Sequence, residues 1–221
     1  MPPVDGGVQA LHEDDDVLVL CKPPGLLCVP GRGPDKQDCL SARAQQRWPG
    51  ALIVHRLDQA TSGLVLMARH ADAQRRLSHA FAERLVHKRY QAVVQGRMQP
   101  DDAADPTAWQ EINLPIAADW ERRPLRVIDP VLGKPSLTRW RLRSYDAPSD
   151  VSCIELEPVT GRTHQLRVHL AAVGHAILGD ALYADAATQC RAPRLLLHAS
   201  HLGFTHPVSG AAVALEWAAD F

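Results

Sequence analysis

The apolar run Val17-Leu18-Val19-Leu20 ends just before Pro23-Pro24-Gly25, a pattern that predicts a buried strand broken by a turn. Asp38 is placed to cap a short helix from Cys39 to Trp48, which Pro49-Gly50 would end. Two further apolar segments, Ala51-Leu52-Ile53-Val54 and Leu64-Val65-Leu66-Met67, bracket a polar loop. From about Ala71 to Leu85 the spacing changes to that of a helix, with Leu77, Ala80, Phe81 and Leu85 on one face and arginines on the other. Residues 88 to 95 read as a strand bearing Tyr90, and residues 98 to 110 as a polar loop.

In the second half, Thr138, Trp140 and Leu142 alternate with Arg139, Arg141 and Arg143, the period of a strand with one buried face. Val151 to Pro158 reads as another strand. A helix opening at Gly161 and running through Val173 would bury Leu166, Leu170 and Val173, with Gly174 ending it. Strands near Leu195 to Thr205 and Ala211 to Trp217 close the chain. Strands outnumber helices and βαβ alternation is poor, so the expected fold is α+β: a mixed, largely antiparallel sheet with helices packed on it. The expected organisation is a flexible start over residues 1–10 and a single domain over residues 11–221.

The polar loop between the apolar segments carries the candidate chemistry. It reads His55-Arg56-Leu57-Asp58-Gln59-Ala60-Thr61-Ser62-Gly63, one carboxylate between a basic pair and a turn-forming Thr-Ser-Gly. Strands on both sides would hold Asp58 rigidly, as catalysis requires. An isolated Arg-x-Asp triplet has a plainer account, an aspartate that caps a turn beside an arginine that solvates a surface.

Composition narrows the setting. No apolar run approaches the roughly 18 residues of a membrane span, and the N-terminus lacks the basic-then-apolar order of a secretory signal, so a cytoplasmic, membrane-free protein is expected. The five cysteines are odd in number, widely spaced and without Cys-x-x-Cys, which argues against a disulfide framework and a zinc knuckle. His198-x-x-His201 with His206 would face opposite sides of a strand with no carboxylate in the run, so no metal is expected there. A formal net charge of −1 gives no support for a nucleic-acid partner. The local distribution differs: Arg56, Arg69, Arg75, Arg76, Arg84, Lys88, Arg89 and Arg97 face only Asp58, Asp72 and Glu83 over the same stretch. That stripe is either a solvated helix face or a polyanion-binding surface.

HRLDQATSG resembles the active-site signature of the RluA-type pseudouridine synthases, enzymes that isomerise uridine within RNA. Further blocks are similar to the family in the same order: Lys88-Arg89-Tyr90, Thr160-Gly161-Arg162-Thr163-His164-Gln165-Leu166-Arg167-Val168-His169, and Gly174-His175 through Ile177-Leu178-Gly179-Asp180 to Tyr183. The opening Lys22-Pro23-Pro24-Gly25-Leu26-Leu27 and the closing Leu195-Leu196-Leu197-His198-Ala199 with His206-Pro207 look like the family too. Cys21 and Cys28 depart from it, standing where relatives often carry Asn and a small polar residue.

The resemblance implies a pseudouridine synthase fold, a mixed central sheet with an active-site cleft across it; the S4-type RNA-binding domain that precedes this unit in many relatives is expected to be absent, given the short stretch ahead of the first family block. The resemblance also implies Asp58 as the catalytic aspartate, either nucleophile or electrostatic partner of an oxocarbenium-like sugar. Arg167 is implied as its counter-cation, Tyr90 as the ring that stacks on the uracil and helps remove the C5 proton, and Arg56 as the group that fills the gap left by a flipped-out nucleotide. His55, Lys88, Arg89 and Arg162 are the remaining candidate RNA contacts, with Arg162 holding either a phosphate or loop backbone; His55 and His164 read as hydrogen-bonding groups rather than acid–base catalysts. The reaction moves no electrons and loses no group, so neither cofactor nor metal is expected. The partner is RNA, and the protein is expected to act as a monomer without an obligatory protein partner. The compact form, the Cys28-Val29-Pro30-Gly31-Arg32 stretch and the Ala219-Asp220-Phe221 ending are most similar to the branch acting on both large-subunit ribosomal RNA and the tRNA anticodon stem-loop. The rivals are a relative restricted to one tRNA site, a nucleoside or glycoside hydrolase, which would need a second carboxylate, and a catalytically inert RNA-binding module.

Overall fold

A computed structural model describes residues 8–99, 105 and 108–221. Residues 1–7 of the expected flexible start, and part of the expected 98–110 loop, lie outside the described residues. In chain order the elements are β1 (Gln9–Glu13), β2 (Val17–Lys22), α1 (Leu40–Arg47), β3 (Leu52–Ile53), β4 (Ser62–Ala68), α2 (Ala71–Ala82), β5 (His87–Gln95) and β6 (Gln110–Asn113). There follow β7 (Ile116–Ala118), β8 (Arg126–Ile128), β9 (Leu137–Asp146), β10 (Val151–Pro158), α3 (Gln165–Ala172), α4 (Ala186–Gln189), β11 (Leu197–Thr205) and β12 (Ala212–Glu216). Within the expected flexible start, Val8 is buried and β1 begins at Gln9.

The described residues form two compact units, one of those up to Lys88 with Ala199–Asp220, the other of Arg89–His198 with Phe221. In the first, strands run in the order β1-β2-β4-β11, with β12 on β11 and β3 on β4. The pairs β1–β2, β2–β4, β3–β4 and β11–β12 are antiparallel. Val17, Val19, Leu64, Leu66, Leu202 and Phe204 on one face of this sheet enclose Ala73 and Leu77 of α2. Leu18, Leu20, Val65 and Met67 on the other face are equally buried. Both faces are covered, so β2 and β4 read as unbroken apolar runs. Each such side chain contributes roughly 1.5–3 kcal/mol of burial, and the loop between β3 and β4 inherits a rigid base.

In the second unit the order is β5-β10-β9-β6, again antiparallel at each pairing, with a separate two-stranded hairpin of β7 and β8. The largely antiparallel α+β architecture is as expected. Strand boundaries for β2, β5 and β10 follow the apolar pattern closely.

The helices depart from it. Asp38 does not cap α1: Cys39 occupies the cap position without a side-chain bond, and Asp38, one residue too early, instead accepts from Nε and Nη2 of Arg43 at 2.6 Å each. Helix α2 stops at Ala82 because Arg84 adopts a left-handed backbone, φ 58°, which leaves Leu85 outside the helix and exposed. Helix α3 starts at Gln165 rather than Gly161, since His164 is left-handed at φ 57°. It is buried all round from Gln165 to Leu170, while Val173, expected inside, is exposed. A helix with no polar face shows no 3.6-residue period to read. The arginine face of β9 is neither simply wet nor free for a partner: Arg141 and Arg143 pair with Glu155, and Arg139 with Glu111 and Glu157.

Candidate active site

In the first unit the Asp58 loop is clamped onto the Pro23-Pro24-Gly25 turn. Gly25 N donates to Gln59 O at 2.9 Å and Gln59 Nε2 to Gly25 O at 3.0 Å. Beneath them Lys22, only 2% exposed, gives Nζ to Pro23 O, Leu26 O and Gln59 O at 2.9, 2.7 and 3.0 Å. Three carbonyls match the three N–H bonds of an ammonium. Burial pulls the Lys22 pKa down to about 8, with the Asp58 charge acting in the other direction. Cys28 Sγ accepts Leu57 N at 3.2 Å, so this departure from the family pattern has a defined place; burial raises its pKa and keeps it a thiol.

Asp58 O accepts Thr61 N at 3.1 Å, closing the turn, and Thr61 and Ser62 are buried behind it. Gly63 is required on two counts: its φ is 115°, and a Cβ there would lie 2.3 Å from Ala199 O. The half-buried Asp58 thus sits on a loop fixed at both ends, with Arg56 exposed beside it. His55 turns inward, accepting Leu66 N at Nε2 (2.9 Å) and stacking on Phe81 with centroids 4.5 Å apart. Burial, with the Lys88 charge nearby, pushes its pKa to about 3. A ring engaged this way ties the loop to β4 and α2. Lys88 extends over the Phe81 ring at 5.6 Å and is half-buried, with its pKa lowered by burial.

In the second unit Arg167 is 4% exposed and forms a two-pronged pair with Asp180, Nε to Oδ2 at 2.8 Å and Nη2 to Oδ1 at 2.6 Å. That pair leaves Nη1 outside it. The guanidinium also lies 5.1 Å from the Tyr183 ring centroid. Asp180 Oδ1 accepts Leu182 N and Tyr183 N as well, at 2.9 and 3.2 Å. Gly179 before it cannot carry a side chain, because a Cβ would meet Arg194 O at 1.9 Å. The Gly179-Asp180 and Tyr183 block therefore aims Arg167. Sequence reasoning quoted these residues, and Lys22 likewise, without giving them a task.

The rest of the Thr160–His169 block fastens this helix to its surroundings. Gln165 accepts from Thr160 Oγ1 (2.7 Å) and Arg162 N (3.0 Å) and donates to Leu137 O (3.0 Å). Arg162 reaches Pro135 O at 3.3 and 3.4 Å, the loop-backbone alternative of its two readings. His164 Nδ1 meets Tyr183 Oη at 2.7 Å. Tyr90 is half-buried on β5 opposite Leu156 of β10, and its neighbour Arg89 lies 3.7 Å from Glu155.

The basic stripe is partly neutralised. Arg69 pairs with Glu13 and Arg75 with Asp72, Arg76 donates to Pro207 O, and Arg97 lies over Tyr145, while Arg56 and Arg84 are exposed.

Among the described residues one group, Asp14, Asp16 and His206, has the spacing to hold a metal, its carboxylates coming from the β1–β2 turn rather than from near His206 in sequence. His206 Nδ1 accepts Val208 N and Ser209 N at 3.3 and 3.1 Å, so the ring proton belongs on Nε2, which lies 3.3 Å from Asp14 Oδ2. A metal needs that Nε2 lone pair. The donor set suits a hydrogen-bonded turn: Asp14 Oδ1 also accepts Asp16 N and Val17 N at 2.9 and 2.8 Å. No helix of the described residues is long and apolar enough to cross a membrane.

Comparison with known proteins adds to this geometry. A family model described as RNA pseudouridylate synthase matches residues 16–172. The chain is 41% identical over 220 residues to the dual-specificity RNA pseudouridine synthase RluA of Escherichia coli K12, covering all of this chain and 97% of that one. It is 42% identical over 209 residues to the protein of the same name from Pasteurella multocida, covering 94% and 91%. Among solved structures, human RNA pseudouridylate synthase domain containing 1 is similar with a TM-score of 0.79 at 30% identity, covering 100% of this chain and 87% of that one.

Proposed function

Because the chain belongs to the RNA pseudouridylate synthase family, it isomerises uridine to pseudouridine within RNA, and we propose that it does so in both large-subunit ribosomal RNA and the anticodon stem-loop of tRNA. The observation that carries the dual target is the likeness to dual-specificity enzymes over the full length of this chain and nearly the full length of theirs. The reading makes the protein a cytoplasmic monomer, which sedimentation and localisation of the tagged protein check.

The reaction breaks N1–C1′, turns the uracil, forms C5–C1′, removes a proton from C5 and returns one to N1. Asp58 supplies the carboxylate at the sugar. Nucleophilic attack and stabilisation of positive charge at C1′ both require it ionised. The rigid clamp of its loop supports that role, since a carboxylate that must meet one carbon cannot wander. Arg167 serves as counter-cation to Asp58, supported by a guanidinium whose direction the Asp180 pair fixes and whose Nη1 lies outside that pair. Tyr90 stacks on the uracil and helps remove the C5 proton. The exposed Arg56 fills the gap left by the flipped nucleotide, and Lys88 and Arg89 hold the backbone nearby.

Purified protein incubated with an anticodon stem-loop and with a large-subunit ribosomal RNA fragment separates this reading from its rivals. Pseudouridine in both RNAs is expected. Pseudouridine in the stem-loop alone points to a one-site enzyme, free uracil to a hydrolase, and binding without product to an inert module.

A further inference from the structure

Three of the most exposed large apolar residues, Trp120 (72%), Val131 (87%) and Leu132 (79%), belong to one hairpin, β7–β8 with its flanking turns. Trp120 stands in the turn that joins the two strands, while Val131 and Leu132 stand in the turn beyond β8, at the other end of the ladder. Their surroundings are cationic. Arg123 Cζ lies 4.4 Å from the Trp120 ring centroid, Arg122 and Lys134 are exposed, and Arg126 is half-exposed.

Two of the three acids on the hairpin are spent within it. Asp119 accepts Glu121 N (3.2 Å), Arg122 N (3.0 Å) and Arg122 Nε (2.8 Å), and Asp129 accepts Val131 N (2.9 Å) and Leu132 N (3.0 Å). Glu121 alone stays exposed.

The hairpin is also rigidly mounted on the part of the second unit that carries Arg167. His169 Nε2 contacts Leu114 O at 2.9 Å at one foot, and Arg162 reaches Pro135 O at the other. Tyr183 Oη, bonded to His164, accepts Arg126 N of β8 at 3.0 Å. Gly133 leaves no room for slippage, since a Cβ there would lie 2.3 Å from Asp129 O. The same block that aims the guanidinium therefore holds the hairpin.

We propose that the β7–β8 hairpin is a second RNA-contact site, at which Trp120 stacks on an unpaired nucleobase outside the reacting nucleotide and Arg123 meets an adjoining phosphate. An exposed indole with a guanidinium over its ring suits a base, whose π-face stacks whatever its identity, and suits a polyanion. The site selects for RNA with a flexible nucleotide at the right reach, which makes Trp120 a specificity-determining residue rather than a catalytic one. This inference rests on the pseudouridine synthase reading and concerns only how RNA is chosen.

The test compares Trp120→Ala and Trp120→Phe with wild type on an anticodon stem-loop, following pseudouridine formation and Trp fluorescence. Trp120→Ala should raise KM about 10-fold, the scale of one lost base stack, with kcat changed less than about two-fold, while Trp120→Phe recovers most of the loss. Part of the Trp quenching on RNA binding should vanish in Trp120→Phe. Equal KM for Trp120→Ala and wild type overturns the proposal, as does unchanged quenching in Trp120→Phe. So does a wild-type dimer that Trp120→Ala disperses without altering KM, which would make the patch a protein interface. Failure of wild type to form pseudouridine in any RNA would instead defeat the parent reading.

Discussion

The Asp58 loop and the Arg167 helix are held by different kinds of bond. Around Asp58 the fastening is mostly main chain: amides and carbonyls of Gly25, Gln59 and Thr61, a lysine seated in three carbonyls, and a glycine pressed onto Ala199. Around Arg167 it is side chain to side chain, a buried ion pair with Asp180 and a network through Gln165, His164 and Tyr183. Main-chain fastening is redundant and survives most substitutions, whereas a buried ion pair fails when either partner is removed. The carboxylate therefore has a mount that mutates gently, and the guanidinium one that breaks at single residues.

The largest expected effect on stability follows directly. Asp180→Ala strands a buried guanidinium and should cost about 3–5 kcal/mol in a denaturant titration, whereas Gln59→Ala on the other mount should cost under about 1 kcal/mol. Comparable losses from the two variants would erase the contrast. Next in size, Gly63→Ala forces a methyl against Ala199 O and should destabilise by about 1–3 kcal/mol, reading out as lower Tm. Gly161, with open space around it, should tolerate the same change.

A smaller effect belongs to pH. Native Lys22 loses its proton near pH 8, but the unfolded chain keeps it to about 10.5. The unfolded state binds more protons across that window, so this group's contribution to stability rises from about pH 8 to 10.5 and is constant below it. Lys22→Met should flatten that rise. Asp14 works in the acid range: burial acts to raise its pKa, but amides of Val17 and Asp16, with His12 and His206, outweigh it and hold it at about 2. Its contribution is present above the ordinary carboxylate pKa and is lost as pH falls toward 2, so Asp14→Asn should lessen acid sensitivity slightly.

Strands buried on both faces were legible because an unbroken apolar run has few other readings, and β9 was legible through its alternation. The helices were harder. Helix α3 packs apolar and polar residues inward alike, and its start depends on a left-handed His164 that no periodicity records. At the site, motif order pointed to Asp58, Tyr90 and Arg167, but not to what holds them. Lys22 and Asp180 are charged residues that bury only because carbonyls or a guanidinium wait for them, and of those partners Gln59 O and Arg167 lie 37 and 13 positions away in the chain. The pairing of the β9 arginines was hidden for the same reason, since their glutamates lie on neighbouring strands.

The most direct test of the account is pseudouridine formation by Asp58→Asn. The substitution keeps the size of the side chain and removes its charge while the main-chain clamp stays in place. With the anticodon stem-loop and the ribosomal RNA fragment as substrates, the account predicts RNA binding close to wild type and conversion of both RNAs reduced on the order of 10⁴-fold or more. Measurable multiple turnover by Asp58→Asn on either RNA would contradict it.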